Sequence, residues 1–177
     1  MNESFGLDGM TVQAKVAFLA RLRAATLELD ATRLVMSNDG WEHAASDLCT
    51  LHDYSAAGLL RSRYSSLDAA LAPGDRERPP YLPGHEHRGE PVVVSEFGGV
   101  AIAGGEGFGW SQVSDPDQLL ATYQELVEAL MGPGPVEGFC YTQLTDVEQE
   151  QNGLLTFDRR PKVEPEKLSP VTQTPKT

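Results

Sequence analysis

Apolar side chains recur at helical spacing in three stretches of this chain and as short runs in four others. Between Thr11 and Leu29, the positions Val12, Val16, Leu19, Leu22 and Leu27 fall three to five apart, which predicts an amphipathic helix capped by Asp8 or Thr11. Leu59, Leu60, Tyr64, Leu67 and Leu71 predict a second helix. Leu119, Leu120, Tyr123, Leu126, Val127 and Leu130 predict a third, opened by the cap sequence Asp115-Pro116-Asp117-Gln118. The runs read as strands: Arg33 to Ser37, stopped by Asn38-Asp39-Gly40; Asp47 to His52; Pro91 to Phe97; and Gly138 to Leu144. In the Pro91 run the β-branched residues are consecutive, which predicts a strand buried on both faces in a parallel sheet. Strands alternating with helices make an α/β layout. The Pro- and Gly-rich stretch from Ala72 to Glu90 predicts a long surface loop, Gly104 to Trp110 a glycine-rich one, and the proline-rich segment past Arg160 a mobile tail with little to bury.

Composition narrows the function classes. At 177 residues, 40% hydrophobic, the chain has room for one globular domain. Its formal charge of −12 repels phosphate backbones and anionic lipid, so neither nucleic acid nor a membrane surface is an expected partner. No apolar run is long enough to span a bilayer, and Met1-Asn2-Glu3-Ser4 does not read as a signal peptide. Cys49 and Cys140 sit in apolar stretches and are expected to be buried, reduced thiols, in keeping with a cytoplasmic protein.

In parallel α/β folds, chemistry gathers at the carboxyl ends of the strands. Polar residues fall there four times: Asn38 and Asp39, His52 to Tyr54, Ser95 and Glu96, and Gln143 to Asp146. Glu96 is the most informative, because a carboxylate following three valines is costly to ionise without partners. It could equally be a strand-end residue pairing with an Arg. Trp41, Trp110 and Tyr141 lie in or beside these clusters, as sugar platforms or as rim packing. His85-Glu86-His87 lacks the framework of a metal site, and no metal or other cofactor is implied.

Taken in order, Asn2-Glu3-Ser4-Phe5-Gly6, Asp39-Gly40-Trp41-Glu42-His43, Leu51-His52-Asp53-Tyr54, Ser95-Glu96-Phe97-Gly98-Gly99 and Gly138 to Asp146 resemble the catalytic (β/α)8 barrel of glycoside hydrolase family 2, the β-galactosidase, β-glucuronidase and β-mannosidase group. A whole barrel takes about 250 residues. The resemblance therefore implies a partial TIM barrel over residues 1–162, from the end of the fourth strand through the eighth, followed by a flexible, disordered tail at 163–177.

That resemblance implies roles by position. Glu3 would be the general acid/base and Glu96 the nucleophile of a retaining hydrolase of terminal β-glycosidic bonds, facing each other across about 5–5.5 Å. The pKa of Glu3 would stand above that of Glu96. Asn2 would contact the sugar 2-hydroxyl, His52 or Tyr54 would orient the nucleophile, and Asn38, Asp39 and Trp41 would line the sugar site. Tyr141 and Gln143 stand where several members carry a Trp platform, so the sugar cannot be carried over, and β-galactoside is a first expectation by family frequency alone. Glu3, so near a terminus, would be prone to fray. The open edges of a half barrel imply self-association or a separate N-terminal half. A non-catalytic carbohydrate-binding or assembly subunit is the alternative function.

Overall fold

The computed structural model of the chain describes residues 1–72, 78–105 and 107–177. In chain order the elements are α1 (Val12–Leu29), β1 (Cys49–Asp53), α2 (Ala57–Arg63), α3 (Leu67–Leu71), β2 (Val92–Gly98), β3 (Val100–Ile102), β4 (Ser111–Val113), α4 (Pro116–Met131), β5 (Val136–Thr142) and α5 (Pro165–Thr172). β1, β2 and β5 form a three-stranded sheet in that order, wholly parallel, and β3 and β4 form a separate parallel pair. The fold is mixed α/β, and its sheet does not close into a barrel.

One face of the sheet is covered. Val92, Val94 and Phe97 of β2, Leu51 of β1 and Val136 of β5 meet Leu60 of α2 and the buried stripe Leu119, Tyr123, Leu126, Val127 and Leu130 of α4. Helix α4 starts as its sequence predicts, with the Asp115 carboxylate accepting from the Gln118 N–H at 2.9 Å and Pro116 in the first turn. Thr11, not Asp8, caps α1. The opposite face carries Thr50, His52, Val93, Ser95 and Cys140, and Val93 is only half-buried, so β2 is sealed on one side rather than both.

Several expectations fail for identifiable reasons. Residues 33–37 form no strand: the Val35 N–H donates to the Asp47 carboxylate at 2.8 Å and its carbonyl accepts from the Asp47 N–H, leaving Leu34 and Met36 exposed. The expected second helix is two, because Ser66 starts α3 afresh by accepting from the Ala69 N–H. The supposed surface loop before β2 runs beside residues 42–44 through bonds from Glu42 and His43 to the Pro79 and Pro80 carbonyls. It inserts Leu82 between Leu7 and Leu19; residues 73–77 of that stretch lie outside the described residues. The C-terminal segment is no disordered tail. Pro165 sits in the first turn of α5, where it is tolerated, and Val163 and Leu168 are buried against the main core. Cys49 is buried as expected, but Cys140 is exposed, because its strand neighbours Phe139 and Tyr141 take the covered face. Among the described residues, no helix is long and apolar enough to cross a membrane.

Candidate active site

Strand alternation would send Glu96 to the covered face along with Val92 and Val94. The register prevents this. Leu51 pairs with Val94, but His52 pairs with Glu96, so Ser95 is an extra residue on β2. Such a bulge resets the alternation. Ser95 and Glu96 both turn toward the open end of the sheet, and Phe97 returns to the core with no exposure at all.

Five of the expected residues gather around Glu96, two touching it and three reaching it through His52. The Tyr54 hydroxyl donates to Glu96 Oε2 at 2.6 Å. His52 Nδ1 lies 2.7 Å from Glu3 Oε1 and 3.4 Å from Glu96 Oε2, while its Nε2 lies 3.5 Å from Asp39 Oδ1. The Ser95 hydroxyl donates to that same Asp39 oxygen at 2.6 Å. Trp41 stands edge-on to the His52 ring, with centroids 5.5 Å apart. One ligand-type atom from each of Glu3, His52 and Glu96 lies within 4.8 Å of the others. A neutral imidazole with those two carboxylates could hold a divalent cation. The same carboxylates favour the protonated form of His52, which would compete with a cation for this place.

The electrostatics follow from one buried imidazole among three carboxylates. Burial alone would lower the His52 pKa, but hydrogen bonds with Asp39 and Glu3 and the charge of Glu96 outweigh it and hold the ring above its ordinary value. Burial would raise Asp39. Bonds from His52, Ser95 and Thr50 reverse that and bring it down to about 2. At Glu96 burial wins, pushing the carboxyl above its usual range despite Tyr54 and His52, against the expectation that it would be the readily ionised carboxylate of the pair. Tyr54 is held well above a normal phenol, first by burial and then by its bond to Glu96, so it remains a donor.

Other expected residues lie elsewhere. Asn38 is wholly buried and engaged: its amide donates to Ser4 Oγ and to the Trp41 carbonyl, so it anchors the chain rather than lining a sugar site. Tyr141 is turned into the covered face. Its ring stands edge-on to Phe97 and Tyr123, and its hydroxyl accepts from the Val100 N–H, with burial raising it to about 12. Only a glycine at position 98 leaves room for that ring, since a Cβ there would meet it at 2.2 Å. The Gln143 amide donates to Asn152 Oδ1 at 2.9 Å, away from the carboxylates. Asn2 is exposed and bridges to Asp39 through its backbone. His85 and His87 bond to the Ala44 and Glu90 carbonyls, respectively, and do not converge.

The chain matches no protein-family model and no curated protein at a significant level. The site therefore stands on its own geometry.

Sequence reasoning gave no role to Ser4 or Glu42, and left Trp110 as either a sugar platform or rim packing. Trp110 stacks on Tyr54 with centroids 4.4 Å apart and is more than half exposed, with Phe108 edge-on beside it. The signal was Gly99, where a Cβ would strike the Trp110 ring at 2.4 Å.

Proposed function

We propose that this chain carries the catalytic carboxylates of a retaining β-glycoside hydrolase of the family 2 type, with Glu96 as nucleophile and Glu3 as general acid/base. The observation that carries the reading is the close approach of the two carboxylates, with reactive atoms within 4.8 Å around the shared His52. That spacing suits direct attack on the sugar; an inverting pair stands about 6.5–9.5 Å apart to admit a water.

In this reading Glu96 attacks the anomeric carbon and forms a glycosyl ester as the leaving oxygen takes a proton from Glu3. Glu3 then removes a proton from water, which hydrolyses the ester and releases the sugar with its configuration retained. Tyr54 donates to Glu96 throughout and disperses its charge. His52, when protonated, would balance the negative charge of the pair, and Asp39, tied to Ser95, flanks the far side of the ring. Three carboxylates and a net charge of −12 disfavour an anionic glycone, so neutral sugars are the expected substrates.

Among the described residues β1 and β5 each have one ladder neighbour, and Cys140 and Val93 leave the uncovered face of the sheet partly open. Those edges call for further β/α units, from a second copy or a separate half barrel, before the sugar is enclosed. They also favour a second reading, a carbohydrate-binding or assembly subunit built on the same half barrel.

The test is labelling with a 2-deoxy-2-fluoro dinitrophenyl β-glycoside, alongside turnover of aryl β-glycosides and light scattering. A covalent sugar on Glu96, and a loss of turnover of about 10⁴-fold in Glu96→Gln, are the expected results. Retained sugar binding without an adduct, in a chain whose barrel has been completed, would favour the binding subunit.

A further inference from the structure

Glu3 and Ser4 both occupy the left-handed backbone region, with φ of 50° and 57°, where side chains are seldom stable without outside support. Part of the support is a strap: the Asp39 N–H donates to the Met1 carbonyl and the Glu3 N–H to the Asp39 carbonyl. The rest is buried and polar. Ser4 has no exposed surface; its N–H donates to Asn38 Oδ1 at 3.1 Å, and its hydroxyl accepts from Asn38 and donates to Glu42 Oε2 at 2.5 Å. Glu42, itself at φ 52°, is 9% exposed. It receives Lys15 Nζ from α1 at 2.8 and 2.9 Å and Arg78 at 3.3 Å.

Resting on the glycosidase reading, we propose that Glu42 is a positioning residue for the acid/base. Through the Ser4 hydroxyl it fixes the backbone that aims Glu3, while its carboxylate bonds to Ser4, Lys15 and Arg78 and not to Glu96 or His52. Lys15 and Arg78 do more than neutralise a surface acid, because an uncompensated carboxylate at this depth would not hold Ser4. α1 and the segment before β2 thus converge on the one catalytic group that no ladder supports. His52 holds the carboxylate end of Glu3, and Glu42 holds the backbone end.

The experiment compares kcat/KM on phenyl and on dinitrophenyl β-glycosides, because protonation of the leaving oxygen matters for phenoxide and hardly at all for dinitrophenoxide. In Ser4→Ala and Glu42→Gln, kcat/KM on the phenyl glycoside should fall by about 10- to 100-fold, within the usual worth of a general acid, while that on the dinitrophenyl glycoside holds. Azide, which attacks the glycosyl ester without a base, should restore kcat on the dinitrophenyl substrate. Glu42→Asp, with Lys15 and Arg78 still paired, should recover part of the loss. An equal fall on both substrates would reduce Glu42 to a structural role and overturn the proposal, as would no change on either. Fluoroglycoside labelling of Glu96 in the unsubstituted chain, with its barrel completed as for the kinetics, separates this from the broader reading: labelling with an equal fall sinks Glu42 alone, and absent labelling sinks both. Should Glu42→Gln not fold, Ser4→Ala decides, since it leaves the Glu42–Lys15–Arg78 cluster in place.

Discussion

Glu96 and Glu3 meet at one imidazole but are held there by opposite means. Glu96 belongs to β2, the central strand, with ladders on both sides and Phe97 locked into the core beside it. Its aim depends on one inserted residue, Ser95. Glu3 belongs to no strand; its backbone is set by a single bridge to Asp39 and by side chains that hold the next residue, Ser4, from positions 34 to 38 residues away. One carboxylate is placed by a strand with ladders on both sides, the other by one isolated bridge and a few buried polar contacts. The first should therefore fail only with the fold, whereas the second should fail alone.

The largest break should come on the ladder side. Phe97→Ala empties a fully buried aromatic site and should cost about 3–5 kcal/mol, read from urea unfolding, taking both carboxylates down together. A smaller effect is expected from Asp39, where the two supports join. Its carboxyl is depressed from 3.8 to about 2, so it stabilises the fold at pH above 3.8, and that contribution is lost as pH falls toward 2. The shift corresponds to about 2 kcal/mol, and Asp39→Asn should lack that increment at pH 5 and match the parent near pH 2. His52 works in the other direction: raised in the fold, it contributes below its ordinary 6.5 and is lost as pH climbs through its folded value. The smallest change should be a sharpening. Tyr54→Phe removes a donor that favours ionised Glu96, so on the hydrolase proposal the acid limb of kcat/KM should move upward with little change in stability.

The same division decides what could be read from the sequence. Helices α1 and α4 were legible because their apolar spacing and caps are local, and β2 and β5 because their β-branched and aromatic runs are. Glu96, His52, Tyr54 and Asp39 were legible as strand-end polar residues, and Glu3 only through the family likeness. The bulge was not, since Ser95 differs in no local way from a regular strand residue. Nor was the anchoring of Glu3: Asn38, Glu42 and Lys15 look like ordinary turn and surface residues until the chain brings them beside Ser4. The direction faced by Tyr141 depends on a void left by Gly98 in another strand. The C-terminal helix was obscured by its prolines, although Val163 and Leu168 mark its buried side.

Cys140 offers a handle on assembly. It is exposed on the uncovered face, while the other thiol, Cys49, is buried. Partial burial of the sulfur, together with the charges of Asp39 and Glu96, raises its pKa, so it should be alkylated slowly by maleimide. The chain thus carries a native footprinting probe. Its rate of alkylation reads how open that face of the sheet is, and, on the half-barrel proposal, protection that grows with protein concentration or with an added half barrel would time its covering without any engineered label.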